Sequence, residues 1–179
     1  MSFTLRKATL HDIDDLELLI RRSARQLCAR DYTNQQIEAA LSGAFGVDTQ
    51  LIQDGSYFVV EDEGNIIACG GWSRRLTLFG GDNHSEHRAV ELNPKTDAAK
   101  IRAYFVDSRY ARRGVGSMIL NHCEAEAKLF GFTCLELMAT LSGSRLYEKR
   151  GYLPKSPIQY ELSKGVSISF IPMTKVIVR

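Results

Sequence analysis

Along this chain the apolar positions switch between a period of two and a period of three to four, and each switch marks an element. Phe3 to Ala8 alternates imperfectly and predicts a first strand. Leu16, Leu19 and Ile20 continue as one helical face to about Leu27, with Thr9 and Asp12 in capping-box spacing at its start. Gln36 to Leu41 predicts a second helix, closed by Gly43 and Gly46. Tyr57 to Val60 and Ile66 to Trp72 read as two strands of a hairpin turning at Asp62-Glu63-Gly64-Asn65. Ser73 to Lys100 is a long polar connection leading to the apolar run Ala103-Tyr104-Phe105-Val106, which suits a buried strand. From Val115 the apolar residues fall at Val115, Met118, Ile119, His122/Cys123 and Leu129/Phe130, a helical spacing. Thr133 to Ala139 then alternates, with Leu135, Leu137 and Ala139 on one face and Cys134, Glu136 and Met138 on the other. A short helix reaches Tyr147, and Tyr160 to Leu162 and Ile168 to Val178 close the chain as strands. The predicted order is β-α-α-β-β-β-α-β-α-β-β.

Composition narrows the class of protein without changing this order. With 179 residues and 44% apolar content, residues 1–179 make a single domain with enough core to fold alone. A net charge of +2 is too mild to make nucleic acid the main ligand. Cys28, Cys69, Cys123 and Cys134 show no Cys-x-x-Cys spacing, and neither an N-terminal apolar run nor a membrane-spanning run is present. A soluble protein of a reducing compartment, the cytoplasm, is expected. His84 and His87 lie three apart without further ligands close by, so no metal site is expected.

The chemistry concentrates between the buried strand and the helix that follows it. Ala111-Arg112-Arg113-Gly114-Val115-Gly116 puts two glycines and two arginines where a helix presents unpaired N–H groups and its positive dipole end. Such a turn suits an anion. It is not a P-loop, because Gly-Lys occurs nowhere in the chain, nor a dinucleotide fingerprint, because Ile119 stands where the third glycine belongs.

This stretch resembles the signature of the GNAT superfamily of acyl-CoA-dependent N-acyltransferases: a strand ending in Val106, a polar turn, and Gln/Arg-x-x-Gly-x-Gly/Ala opening a helix. Both glycines match, and Ala111 replaces the usual Gln or Arg. Independently, Tyr147-Glu148-Lys149-Arg150-Gly151-Tyr152 looks like the family's Tyr-x-x-x-Gly-Phe/Tyr segment. The resemblance implies an α/β (α+β) fold with a mixed, mostly antiparallel central sheet flanked by helices. It also implies an N-acetyltransferase that moves an acetyl group from acetyl-CoA, its co-substrate, directly to a primary amine of a small molecule or peptide. A domain that binds acyl-CoA without turnover is the alternative. On this resemblance Arg112, Arg113, Gly114, Val115, Gly116 and Ser117 cradle the pyrophosphate, with Arg109 within reach, and the backbone of Tyr104, Phe105 and Val106 binds the pantetheine arm. Tyr147 is implied as the general acid, Glu136 as the base and Tyr32 as a contact to the acceptor. Such domains often form homodimers. No membrane or specific nucleic-acid partner is expected.

Overall fold

A computed structural model describes residues 2–77 and 90–177. Its strands are β1 (Thr4–Lys7), β2 (Tyr57–Asp62), β3 (Asn65–Ser73), β4 (Ala99–Val106), β5 (Cys134–Thr140), β6 (Leu153–Pro154), β7 (Ile158–Ser163) and β8 (Val166–Val176). The helices are α1 (Ile13–Leu27), α2 (Asn34–Leu41), α3 (Thr49–Gln53), α4 (Val115–Leu129) and α5 (Ser144–Lys149). They surround one mixed sheet of order β1-β2-β3-β4-β5-β8-β6, with β7 added on β8. Every neighbouring pair is antiparallel except β4 and β5, so the fold is the mostly antiparallel α/β sheet expected. The predicted order lacks only the short α3 and the two-residue β6.

The alternation of each strand sorts side chains into two cores. Tyr57 and Val59 of β2 face the layer of α1 and α2, where Leu16, Leu19, Ile20 and Ile37 are buried. Phe58 and Val60 face the layer of α4, where Ile119, Leu120 and Cys123 are buried. Burying each large aliphatic side chain contributes about 2 kcal/mol, so the amphipathic faces of the two long helices hold the layers on the sheet. On α4 the buried face differs from the expected one. Val115, Gly116, Ile119, Leu120, Cys123 and Ala127 point inward, while Met118 is 37% and Leu129 87% exposed. Spacings of three and four admit two adjacent stripes, and the sheet selects the one with small residues that allow close approach.

Turn chemistry follows the residues. Glu63 and Gly64 both take positive φ, 50° and 79°, as a two-residue hairpin loop requires. At the start of the first helix, the Asp12 carboxylate accepts from the Thr9 backbone N–H at 2.7 Å and from its hydroxyl at 3.1 Å. The helix is preceded by a single 3-10 turn, Leu10–Asp12. The Arg6 guanidinium then holds Asp12 through two bonds of 2.8 and 2.9 Å while also donating to Glu61 of β2. All four cysteines are free thiols. Among the described residues no helix is long and apolar enough to cross a membrane.

The Arg6 cluster generates a pH dependence. The Arg6 hydrogen bond is the main cause that lowers the Asp12 carboxyl to about 2. A carboxylate whose folded pKa is depressed stabilises the fold above its unfolded value and loses that stabilisation as pH falls through the folded value. Arg6→Ala should therefore cost about 1 kcal/mol at pH 7, allowing for solvent screening of a partly exposed guanidinium. In urea unfolding the gap between parent and variant should shrink below pH 4 and close near pH 2; a gap independent of pH would remove Asp12 from the account.

Candidate functional site

The site begins with an irregularity in β4. Cys69 of β3 opposes Phe105, but Gly71 opposes Arg102, so one residue of β3 faces two of β4. Ala103 takes φ of +55° within this bulge. The extra residue re-phases the strand. Ala99 and Ile101 belong to the α4 core, and beyond the bulge Tyr104 and Val106 return to that side while Ala103 and Phe105 join the other. The Tyr57 hydroxyl donates to the Ala103 carbonyl at 3.0 Å, and burial raises that phenol well above its usual range, so it remains a donor. Gly70 opposite the bulge is required by space, since a Cβ there would lie 2.7 Å from the Tyr104 ring.

Past the bulge the sheet opens. β4 and β5 are joined only at Ala99–Leu135 and Lys100–Glu136, near the start of both strands. Toward Val106 and Thr140 the two strands share no ladder, and a cavity of about 190 Å³ fills the gap. Its walls include Tyr104, Phe105 and Val106 from β4, Met138 and Thr140 from β5, and Tyr147 from α5. The Val106 N–H points away from β3 and donates to Ser23 Oγ of α1 at 3.3 Å. Ser23 is a buried hydroxyl on the otherwise apolar face of α1.

At one end of the gap lies the turn before α4. Arg112 and Gly114 adopt left-handed conformations with φ of 65° and 83°, and with the Arg113 N–H donating back to the Tyr110 carbonyl at 3.3 Å the turn presents the start of α4 as an anion nest. The first intrahelical bond runs from the Met118 N–H to the Gly114 carbonyl at 2.9 Å, so the N–H groups of Val115, Gly116 and Ser117 precede the helical ladder. Arg112 and Arg113 are exposed beside them, and the Arg113 guanidinium lies 5.4 Å from the centre of the Tyr110 ring. Gly116 is buried, and a Cβ there would come within 3.1 Å of Leu146 on the cavity wall. Arg109 is turned elsewhere: its guanidinium donates to the buried Asp107 carboxylate at 3.1 and 2.9 Å, which keeps that carboxyl below its ordinary value.

On the far wall, the Tyr147 ring stands edge-on between Tyr104 at 6.1 Å and Tyr152 at 5.8 Å. Burial pushes its hydroxyl upward, so it carries its proton at neutral pH. Glu136 does not join it. The Glu136 carboxylate contacts Lys100 Nζ across the β4–β5 ladder and is absent from the cavity wall that Met138 and Thr140, further along the same face, help to form. Tyr32 is also placed elsewhere: its hydroxyl donates to the Ser169 carbonyl at 2.6 Å and accepts from the Leu141 N–H at 2.9 Å, a clasp between the loop after α1, β8 and the end of β5. His84 and His87 lie outside the described residues, among which no group of three or more His, Cys, Asp or Glu could hold a metal.

The sequence matches the model of the acetyltransferase (GNAT) family over residues 13–152. The chain belongs to the GNAT acetyltransferase family. A comparison of the sequence with curated proteins returns no match. The fold is shared with a GCN5-related N-acetyltransferase from Rhodopseudomonas palustris, at 20% identity and a TM-score of 0.73, over 99% of this chain and 97% of that one. It is shared equally with the PaiA N-acetyltransferase of Thermoplasma acidophilum in complex with coenzyme A, at 16% identity and a TM-score of 0.67, over 98% and 99%. The ribosomal-protein-S18-alanine N-acetyltransferase of Escherichia coli follows at 17% identity and a TM-score of 0.61, over 99% and 96%. The GNAT fold thus extends over nearly the whole chain.

Sequence reasoning missed the bulge, Ser23, and the buried pair of Arg102 with Asp48 at 2.8 Å, in which Asp48 also caps α3. Gly70-Gly71 inside an apolar strand was the available signal for the bulge. The left-handed Gly114 yields a stability test. Nothing lies within 4 Å of a Cβ added there, so Gly114→Ala meets only backbone strain and should cost about 1 to 2 kcal/mol in chemical denaturation. An unchanged midpoint would show that the turn relaxes without it.

Proposed function

We infer that this GNAT chain is an N-acetyltransferase, moving acetyl from acetyl-CoA directly to a primary amine. The observation that carries the reading is that the anion nest of α4 and the Tyr147 ring stand at the same opening between β4 and β5. One extended molecule can therefore place phosphates on the nest and a thioester beside the hydroxyl. The neighbour from Thermoplasma acidophilum, an N-acetyltransferase in complex with coenzyme A, supports coenzyme A as the class of ligand.

In this reading the pyrophosphate rests on the N–H groups of Val115, Gly116 and Ser117 at the start of α4, with the helix dipole and the two arginines adding positive potential. The pantetheine arm runs along the unpaired edge of Tyr104, Phe105 and Val106. The thioester carbonyl takes the Val106 N–H in place of Ser23 Oγ, and the same donor stabilises the oxyanion once nitrogen attacks. The C–N bond forms, the C–S bond breaks, the sulfur takes a proton from Tyr147, and the phenolate so formed is reprotonated through water by the proton that the nitrogen loses as it becomes an amide.

The amine begins as an ammonium, with a pKa near 10.4 if it resembles lysine, and must shed a proton. Glu136 lies on the same face of β5 as Met138, about 7 Å further along the strand, so it receives that proton through water. Direct transfer is preferred to an acyl-enzyme because, among the described residues, no Cys/His or Ser/His/Asp arrangement lines the gap.

Two variants test these roles. Tyr147→Phe keeps the ring between Tyr104 and Tyr152, so acetyl-CoA affinity should hold while kcat falls on the order of 10²- to 10⁴-fold. Undiminished kcat, with chemistry rate-limiting, would give the proton transfer to water instead. Glu136→Gln should slow turnover at neutral pH and approach the parent rate as pH nears the amine's own pKa. A constant ratio across that range would exclude Glu136 as the base. A parent protein that binds acetyl-CoA tightly and releases no thiol with any amine would favour the non-catalytic alternative.

A further inference from the structure

The cavity does not stop at the reacting carbon. Away from the α4 nest it extends into the α1 and α2 layer, where Leu27 at the end of α1, Cys28 just after it, Phe45 after α2, Met138 of β5 and Phe170 of β8 form its wall. All five are apolar or neutral. Phe45 stands edge-on to Phe105 at 5.7 Å and to Phe170 at 6.4 Å, which stiffens this end. Cys28 is buried, and burial pushes its thiol up, so it lines the wall as a small neutral group.

Charge is scarce here. Among the described residues the wall carries one charged side chain, Arg102, and its guanidinium is already engaged by Asp48 at 2.8 Å. A second ammonium group brought into this space would lose its water and find no carboxylate on the wall, a costly transfer. A hydrocarbon arm would instead exchange water for apolar contact. The volume limits the size: the cavity of about 190 Å³ also receives the thioester end of the acyl donor, so the share left against the α1 side suits no more than one ring or one branched alkyl group, since about 150 Å³ accepts benzene.

We propose that the acceptor is a primary monoamine on a compact apolar or aromatic skeleton, seated against Phe45, Met138 and Phe170 with its nitrogen toward Val106 and Tyr147. This rests on the N-acetyltransferase reading, and it excludes diamines and polyamines from efficient use.

The test separates binding from turnover. Protein saturated with coenzyme A is titrated calorimetrically with phenethylamine, isoamylamine, putrescine and spermidine, and thiol release from acetyl-CoA is followed with the same four amines. The two apolar amines should bind at least tenfold more tightly than putrescine or spermidine and give the higher kcat/KM. Phe45→Ala should weaken phenethylamine binding at least tenfold. Met138→Glu, at a half-buried wall position, should shift preference toward putrescine, which guards against a Phe45 variant that fails to fold. The proposal is overturned if putrescine or spermidine binds as tightly as the apolar amines, or if no apolar amine binds. It is also overturned if hexanoyl-CoA is consumed in preference to acetyl-CoA, which would make the cavity an acyl pocket. Apolar amines that bind selectively without thiol release would uphold the acceptor class and overturn acetyl transfer alone.

Discussion

The hydrogen bond from Tyr57 to the Ala103 carbonyl carries more of this structure than its single 3.0 Å contact suggests. It fixes the one place where β4 carries an extra residue, and that residue decides which way Tyr104, Phe105 and Val106 face. Without the bulge, regular alternation would put Ala103 and Phe105 on the side of Ala99 and Ile101, and Tyr104 would point away from Tyr147. A buried phenol suits this task, because burial raises its pKa and keeps it a donor at neutral pH. The opening between β4 and β5, the direction of the Val106 N–H, and the wall that receives Tyr147 all descend from this local disruption of a ladder.

Around the opening, charged groups tie elements together rather than line the space. Asp48 caps α3 and binds Arg102, so the loop that carries Phe45 is held to β4 from beneath. Lys100 and Glu136 meet at the last paired rung before β4 and β5 part. Asp107, almost fully buried, accepts from Arg109 and lies 3.4 Å from Arg22, linking the polar turn to α1. For Arg102 and Asp48, both almost fully buried, losing one partner would strand the other, so that bond specifies geometry more than it adds net stability. The cavity wall is left mostly to apolar side chains, with Arg102 its one charged group among the described residues and already held by Asp48.

The elements were legible because their signals are local. The hairpin at Glu63-Gly64, the helix from Val115 and the alternation of β5 rest on periods and turn residues within a few positions of each other. The turn before α4 was legible for the same reason: Arg112 to Ser117 are contiguous, and the left-handed Gly114 that opens the helix is a local backbone signal. The outcome for α4 shows where locality ends, since Met118 and Leu120 are both compatible with a helical stripe and only the sheet decides between them. Tyr32 shows the same limit. A tyrosine on a loop can face a ligand or bridge two strands, and its bonds to Ser169 and Leu141 span more than a hundred residues of chain.

Glu136 is the sharpest case, because strand parity alone placed it correctly on the face opposite Leu135 and Leu137. Parity does not say how far along the strand the sheet remains closed. That depends on β4, thirty residues earlier, where the bulge ends the ladder after Lys100. The carboxylate is therefore held at the closed end, against a lysine, while Met138 and Thr140 reach the open one. Distance along one strand separates a charge that locks the sheet from neighbours that line the cavity. In the proposed reaction a proton route from the cavity to Glu136 is accordingly built from water, whereas Tyr147, the proposed donor to the sulfur, lines the opening itself.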